Sequence, residues 1–330
     1  IVFLRGPEDY AHLKSAVQVW DVAGERQVEI RGSDALKLVQ LTTPRDISRM
    51  KDDQCFYIPM VDENGGMLND PVLLKLEEQR YWVSLADSDM LYYYKGLANG
   101  LGLDVEVFEP DVSPLAVQGP KADALIGRVF GEEVVATRFF RHTLVGIAGK
   151  PMVIARSGWS LQGGFEIYLD GSEHGEHLWD LLFEAGADLD VRAGCPCTIE
   201  RIEGGLLSYG NDMTLEHTPF EAGLGKYCNL ETATSCLGHA VLMEKREPTR
   251  QIRPVEISGD AVPPLRAPWP VQSKTGEHVG FVSSAAWSPD FSVNVAIAMI
   301  DCAHWTAGTE LEVETPAGMR DLLVRETYWI

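Results

Sequence analysis

The stretch GWSLQGGFEIYL, residues 158–169, predicts a glycine-rich turn that leads directly into an apolar β-strand. One carboxylate, Glu166, interrupts this strand between Phe165 and Ile167. A buried carboxylate without a partner destabilises a fold by several kcal/mol, even after relaxation. We therefore expect Glu166 to meet hydrogen-bond donors that the strand itself does not supply.

Upstream of this stretch, strands and helices alternate in the order β-α-β-β-α-β from about residue 28 to residue 112. That order is typical of a ferredoxin-like unit. Its helices are predicted at 88–100 and at 33–41, the latter with Ser33 as N-cap and an apolar face through Ala35, Leu36 and Val39. Its clearest strands are PVLLKL, which begins at residue 71, and YWVSLA, which follows the polar EEQR; a further strand is predicted at 103–108.

Around and beyond the quoted stretch, further helices are predicted from Pro120, from Ser172 and over 198–208, with a strand at 151–155. From about residue 252 the pattern changes to short alternating strands separated by Gly and Pro turns, which indicates a small β-barrel or β-sandwich. The sequence thus predicts an α+β body followed by a carboxyl-terminal β module.

Length, charge and cysteine use restrict the class of protein. The 330 residues are too many for one core, so two or three domains are expected. With 28 basic against 49 acidic side chains, the net charge of −21 argues against nucleic-acid and membrane partners. The cysteines are scattered and the histidines lack ligand spacing, so no metal site is predicted and reduced thiols in a cytoplasm are expected. The chain begins with Ile1 rather than Met, which suggests a fragment or a missing leader.

Polar residues interrupt the apolar pattern in four stretches, and the first two lie before residue 170. In YIPMVDENGGMLND (57–70), a turn is predicted at the two glycines, and Asn69-Asp70 either caps that turn or belongs to a site. The second is the quoted stretch, with Trp159, Glu166 and Tyr168.

The other two polar stretches follow later in the chain. In ERIEGGLLSYGND (200–212), Arg201 and Tyr209 interrupt an apolar helix, and Arg201 either forms a salt bridge with Glu203 or contacts a ligand. VSSAAWSP (282–289) is predicted to be a loop of small residues around Trp287.

None of these stretches supplies a nucleophile with a general base, and no GxSxG, HExxH, Walker or GxGxxG motif is present. Carboxylates, an arginine and several aromatic side chains instead suit a flat heterocycle. A pterin ring offers an N–C–NH₂ edge that one carboxylate can accept bidentately. A ligand of this kind would account for Glu166.

Taken together, these stretches resemble the folate-dependent aminomethyltransferase family, the T-protein of glycine cleavage. The markers span nearly the whole chain and include LVQLTTPRDIS (38–48), GGFEIY (163–168), TPFEAGLGK (218–226) and VGFVSSAAWSP (279–289). Within the family, QVWDVAGERQVEIRGSDALKLVQL and ERIEGGLLSYGNDM are similar to the subgroup that demethylates dimethylsulfoniopropionate.

The resemblance implies a three-domain cloverleaf with tetrahydrofolate in its central hole. The first, folate-binding domain would be discontinuous, comprising 1–27 and 113–235, and would enclose a ferredoxin-like domain at 28–112. A β-barrel or jelly-roll-like domain would occupy 236–330. A cytoplasmic homodimer with a small-molecule substrate is expected.

The resemblance also implies roles for particular residues. Glu166 would bind the pterin edge, while Tyr57 and Asp70 would lie near the reactive nitrogens of folate, with Asp70 as the catalytic residue. Trp159 stands where the family often has tyrosine, and it would stack on a ring or hold a sulfonium by cation–π attraction. The remaining cofactor contacts would be Tyr168, Arg201 and Tyr209, and the remaining substrate contacts Lys226 and Trp287.

Two departures separate the chain from glycine-cleavage enzymes, because Asn69-Asp70 replaces a pair of aspartates and Lys226 replaces a tryptophan. The resemblance therefore implies methyl transfer from dimethylsulfoniopropionate to N5 of tetrahydrofolate, the methyl acceptor, giving methylmercaptopropionate and 5-methyltetrahydrofolate. The substrate carboxylate should meet a cation, for which Lys226 and Arg45 are candidates. The alternatives are demethylation of another methylated onium or amine (betaine, dimethylglycine or sarcosine), aminomethyl transfer in glycine cleavage, and folate binding without catalysis.

Overall fold

The computed structural model describes residues 6–86 and 90–330. The helices, in chain order, are α1 (Gly6–Leu13), α2 (Ala35–Leu41), α3 (Met90–Leu101), α4 (Ala122–Phe130), α5 (Glu132–Val135), α6 (Gly175–Ala185), α7 (Thr198–Glu203) and α8 (His239–Glu244).

The strands, in chain order, are β1 (Val17–Asp21), β2 (Glu25–Arg31), β3 (Cys55–Tyr57), β4 (Met60–Val61), β5 (Met67–Asn69), β6 (Val72–Glu77), β7 (Arg80–Ala86), β8 (Glu106–Phe108), β9 (Val112–Gln118), β10 (His142–Ile147), β11 (Lys150–Ala155), β12 (Gly164–Asp170), β13 (Val191–Gly194), β14 (Arg250–Ile257), β15 (Trp269–Gln272), β16 (His278–Ser288), β17 (Val293–Asp301), β18 (Glu310–Thr315) and β19 (Gly318–Val324). The described residues form two compact units. The first lies within 1–41, 47–58 and 70–197, and the second comprises 42–46, 59–69 and 198–330.

The first unit contains two sheets. The six-stranded sheet has the order β10-β11-β12-β9-β1-β13, and the five-stranded sheet has the order β3-β6-β7-β2-β8. In the second sheet, β8-β2-β7-β6 is the antiparallel arrangement of a ferredoxin-like unit, with β3 added at the edge. The predicted β-α-β-β-α-β order is therefore confirmed.

Strand β12 lies inside the six-stranded sheet, and both of its faces are covered. Phe165, Ile167 and Leu169 point into an apolar core shared with α4 and α6. Because side chains alternate along a strand, Glu166 and Tyr168 point to the opposite face. There Tyr168 packs in a second cluster that includes Trp82 of the five-stranded sheet.

The second unit is built on a closed barrel of the order β14-β17-β16-β15-β18-β19, and α7 packs against β16 and β17. The carboxyl-terminal β module is thus a barrel rather than a sandwich. The hairpin β4-β5 also belongs to this unit, and its turn carries the two predicted glycines. Gly66 is required there because a Cβ at this position would overlap the carbonyl oxygen of Leu215.

Several predicted elements differ from those in the structure. Helix 198–208 is wrong beyond Glu203, because the chain turns at Gly205, with φ of +69°, against the ring of Tyr328. The predicted loop 282–289 lies largely in strand β16. Leu36 does not belong to a buried face, since it is 37% exposed while Leu38 is buried.

Element ends also shift. Ser33 donates its hydroxyl to Asp104, and α2 begins only at Ala35. Strand β8 begins at Glu106 rather than at 103. Helix α3 begins at Met90, and the predicted helical positions 88 and 89 lie outside the described residues, as does the apolar start of the chain, 1–5. In the part that is described, no helix is both long and apolar enough to cross a membrane.

Candidate functional site

Glu166 sits in the middle of β12 and is 8% exposed. Its only described hydrogen-bond partner is the Ser157 hydroxyl, which donates to Oε2. Burial raises the pKa of the Glu166 carboxyl, and the Ser157 hydrogen bond partly opposes that rise. A hydroxyl, rather than a basic side chain, is thus the described partner of this carboxylate.

The loop that carries Ser157 and Trp159 is held in place by Gln118. This buried amide donates to the Ser157 carbonyl at 3.2 Å and accepts a hydrogen bond from the Ser160 hydroxyl at 2.7 Å. A Cβ at Gly158 would overlap the Gln118 amide, which explains the first glycine of the quoted stretch. Trp159 is therefore presented, partly buried, on a fixed backbone.

A polar seam lies beside Glu166, on the ferredoxin-like sheet. Gln27 donates to the Ser84 hydroxyl at 3.1 Å and to the Glu25 carbonyl at 2.8 Å, while Ser84 shares a side-chain hydrogen bond with Tyr168. Burial, together with repulsion by Glu166, raises the pKa of Glu25 to about 8. The buried Gln27 Oε1 has no hydrogen-bond partner among residues 6–86 and 90–330. Such an oxygen and two carboxyl groups together favour a ligand that donates hydrogen bonds.

Tyr57 and Asp70 lie in hydrogen-bond contact. The Tyr57 hydroxyl donates to Asp70 Oδ2 at 2.7 Å. Their backbones are aligned because Tyr57 pairs with Val72 across β3 and β6, and Ile58 donates its amide to the Pro71 carbonyl. Both side chains are partly buried. The pair offers a carboxylate held in one orientation.

Arg201, in the second unit, is almost completely buried and forms an ion pair with Asp212 at 2.8 Å. Its guanidinium also donates to the Leu206 carbonyl at 3.1 Å and to the Ser284 hydroxyl at 2.6 Å. The alternative partner considered from the sequence, Glu203, instead accepts a hydrogen bond from Ser288 at 2.5 Å. Arg201 is thus part of a buried hydrogen-bond network.

A β-bulge completes this network. The register of β16 against β17 shifts between Val282 and Ser284, so that Ser283 is an extra residue. Consecutive serines are thereby able to reach the same acceptor, and Ser283 and Ser284 both donate to Asp212 Oδ1, at 2.7 and 2.6 Å. The small residues of VSSAAWSP therefore belong to a strand that packs against α7.

Three predicted site residues of the second unit remain, namely Tyr209, Trp287 and Lys226. Tyr209 is partly buried and pairs with Met213 in an isolated bridge after α7. Trp287 is 36% exposed on β16. The exposed Lys226 lies over the ring of Tyr227, with its Nζ 5.0 Å from the ring centroid. Their roles stay predictions.

The sequence did not identify four side chains that interact with the predicted site residues or hold their loop in place, namely Gln118, Ser157, Glu25 and Asp212. Asp212 ends the SYGND segment and was the available signal for an Arg201 partner. No local signal identifies the others, because their partners are distant in sequence. Two open surface concavities, of about 1000 and about 370 Å³, contain none of the predicted site residues.

Comparison with known families assigns both parts of the chain. Residues 6–232 match the family described as the GCVT N-terminal domain, and residues 250–327 match the glycine cleavage T-protein C-terminal barrel domain. The chain belongs to the glycine cleavage T-protein family. The resemblance seen in the sequence is confirmed.

Within this family, the chain is 59% identical to the dimethylsulfoniopropionate demethylase DmdA of Ruegeria pomeroyi, over 97% of this chain and 88% of that protein. It is 29% identical to the aminomethyltransferase of Caldanaerobacter subterraneus subsp. tengcongensis, over 92% and 82% of the two chains. The fold matches glycine cleavage system aminomethyltransferase T of Bartonella henselae with a TM-score of 0.87, at 24% identity, over 98% and 89% of the chains. That match confirms the T-protein fold.

Proposed function

We propose that this protein is a tetrahydrofolate-dependent demethylase that transfers one methyl group from dimethylsulfoniopropionate to N5 of tetrahydrofolate. The observation that carries the proposal is the 59% identity to a demethylase of that substrate over 97% of the chain. Identity to two aminomethyltransferases is about half as high, at 29% and 32%. The products are methylmercaptopropionate and 5-methyltetrahydrofolate.

The residues around Glu166 fit a pterin. The pterin edge donates two parallel hydrogen bonds, and Glu166 has a carboxylate whose described internal donor is a single hydroxyl. Donors from a ligand stabilise the charged form of this buried acid, and so offset the burial that raises its pKa. Trp159, on the loop fixed by Gln118, supplies an aromatic face for the same ligand.

The methyl transfer requires little general acid–base catalysis by the protein. The bond between sulfur and the methyl carbon breaks with its electrons remaining on sulfur, while the N5 lone pair forms the new bond to carbon. The positive charge thus moves from sulfur to nitrogen, and the N5 proton is then released. Asp70, held by Tyr57, accepts that proton or passes it to water.

Since no leaving amine must be protonated, the rate depends mainly on in-line placement of the methyl donor and on exclusion of water. Aromatic faces such as those of Trp159 and Trp287 suit a sulfonium, with cation–π attraction worth about 0.5–2 kcal/mol. Arg201 contributes as a positioning residue, because Asp212 and Ser284 hold its guanidinium in one orientation.

The test is incubation of the protein with tetrahydrofolate and a panel of methyl donors, followed by assay of 5-methyltetrahydrofolate. The panel contains dimethylsulfoniopropionate, glycine betaine, dimethylglycine and sarcosine. Product from the sulfonium acid supports the proposal. Product from an amine or ammonium donor alone would replace it with the corresponding demethylase, and activity only with an aminomethylated lipoyl carrier would indicate glycine cleavage.

The proposal extends to location and assembly. A cytoplasmic location is supported by the six cysteines, all of which carry free thiols. A homodimer is the proposed assembly state, to be checked by light scattering on the eluted protein. The mass of a monomer in that measurement would refute the proposed homodimer.

A further inference from the structure

Two cations contact one phenol ring in the second unit. The Arg45 guanidinium carbon and the Lys226 Nζ each lie 5.0 Å from the centroid of the Tyr227 ring. Arg45 is far in sequence from the other two residues, so the fold brings the two positive charges together. Cation–π contacts hold both groups over the ring without neutralising their charge.

The backbone around this cluster is fixed. The amide of Asn229 donates to the Pro44 carbonyl at 2.8 Å, and the Asn229 side chain accepts from the amide of Asp46 at 3.0 Å. The segment that carries Arg45 is therefore clamped on both sides to the segment that carries Lys226. Tyr227 itself lies in a short 3₁₀ turn over Gly225–Tyr227. The two cations are thus presented by a preorganised frame.

The electrostatics of the cluster favour an anion. In a chain of net charge −21, most of the surface repels anions, so two adjacent cations form a local exception. Arg45 is partly buried, and burial lowers the pKa of its guanidinium, which means that water solvates this charge incompletely. A carboxylate carries the charge opposite to that of both groups. Lys226 is exposed and accessible to a ligand from solution.

The same segment is connected to a predicted site region within the second unit. The Thr42 carbonyl accepts a hydrogen bond from the amide of Val61 at 2.8 Å, and Met60 pairs with Asn69 across β4 and β5. Asn69 directly precedes Asp70 in the chain. The hairpin that ends at Asn69 is therefore hydrogen-bonded to the segment that carries Arg45.

We propose that Arg45 and Lys226, which both contact the ring of Tyr227, form a binding site for a carboxylate of one of the two substrates. The planar Arg45 fork would take the carboxylate bidentately, and Lys226 would add a point charge. The identity of the ligand rests on the proposed function, which supplies two sources of this group. They are the carboxylate of the methyl donor and the glutamyl carboxylates of tetrahydrofolate.

The test uses Lys226→Met and Arg45→Met, with Lys226→Arg and Arg45→Lys as conservative variants. Lys245→Met, which removes one exposed positive charge elsewhere in the same unit, is the matched control. Two constants are measured for each protein. One is the KM for the sulfonium acid compared with its carboxamide, and the other is the Kd for tetrahydrofolate with one, three or five glutamates.

If the methyl donor is the ligand, Lys226→Met raises its KM about three- to tenfold and Arg45→Met about ten- to thirtyfold, because one exposed and one partly buried charged hydrogen bond are lost. The kcat stays within twofold, and discrimination against the carboxamide disappears. If the folate tail is the ligand, the Kd values rise by similar factors and the gain in affinity with glutamate number disappears. The arginine and lysine variants retain part of each effect.

The proposal is overturned if both constants for Lys226→Met and Arg45→Met stay within twofold of the Lys245→Met control. Thermal melts verify that each variant folds. If Arg45→Met does not fold, the two constants of Lys226→Met, at an exposed position, still test the proposal. The folate Kd is measured without turnover. If the wild-type protein does not demethylate the sulfonium acid, the proposed function is refuted. The folate Kd values of the variants would still test the carboxylate site.

Discussion

Replacing Glu166 by glutamine tests whether this carboxylate binds a ligand or stabilises the fold. A ligand-binding role predicts that the variant is more stable than the wild type, and a structural role predicts that it is less stable. The glutamine side chain keeps an oxygen that accepts from Ser157 but carries no charge. Burial raises the pKa of Glu166 in the folded protein, so its stabilising contribution is fully present below the unfolded value of about 4.5 and is lost as pH rises through the folded pKa. The variant does not titrate and avoids that loss.

The magnitudes follow from the groups involved. Removing a buried charge with one hydroxyl partner should stabilise the first unit by on the order of 1–2 kcal/mol at pH 8, or about 2–6 °C in Tm. Folate binding should weaken, because the amide accepts one pterin donor and turns its own N–H₂ toward the other. Losing one charge-assisted hydrogen bond and opposing a second donor costs about 3 kcal/mol, or roughly a hundredfold in Kd.

The assay is a pair of measurements on the same protein, Tm between pH 5 and pH 9 and the Kd for tetrahydrofolate at pH 8. Glu184→Gln, at an exposed position of α6, is the control and should change neither. The Tm advantage of Glu166→Gln over the wild type should grow with pH while its Kd is higher. A variant that melts lower than the wild type and binds folate within threefold of it would refute the assignment of Glu166 to the pterin.

Three further predictions test the neighbouring groups. The pKa of Glu25 is raised to about 8, so the wild type loses stability as pH rises and Glu25→Gln does not. The stability advantage of Glu25→Gln over the wild type, read from Tm, should therefore grow by about 1–2 kcal/mol from pH 5 to pH 9. An equal difference in stability at both pH values would contradict this prediction. Arg201→Met removes the ionic partner of the buried Asp212 and should lower the free energy of unfolding in urea by about 3–5 kcal/mol, with part restored by adding Asp212→Asn. Asp70→Asn still accepts the Tyr57 hydrogen bond and should lower kcat about ten- to a hundredfold; a loss above about four decades would make Asp70 the driver of bond cleavage.

The architecture was predictable wherever periodicity and turn residues agreed. The ferredoxin-like order and the carboxyl-terminal barrel follow from alternating strands with polar or Gly-containing connections, and the structure confirms both. The burial of Glu166 was also predictable, because large apolar or aromatic side chains occupy both faces of this strand. Phe165 and Ile167 lie on one face, and Tyr168 lies on the same face as Glu166. Local sequence carried these features because each depends on neighbours within a few residues.

The features that were not predictable depend on long-range contacts. Arg201 pairs with Asp212 rather than Glu203 because α7 stops at Glu203 and the chain returns through Ser208. The bulge at Ser283 has no sequence signature, yet it directs two consecutive hydroxyls to one carboxylate. A helical period over 198–208 concealed the turn at Gly205, where a positive φ and the close approach of Tyr328 both require glycine.

Two of the buried carboxylates, Asp212 and Glu166, illustrate how a structural acid differs from a ligand-binding one. Asp212 accepts hydrogen bonds from Arg201, Ser283, Ser284 and the Ser208 amide, which together offset the cost of burying its charge. Glu166 accepts one described hydrogen bond, from Ser157, and its pKa is raised. The remaining desolvation cost of Glu166 is therefore available to be relieved by a ligand, and ligand binding should release a proton from this region when pH lies below the raised pKa. Measuring tetrahydrofolate binding by calorimetry in buffers of different ionisation enthalpy would detect that proton, and its disappearance in Glu166→Gln would assign it.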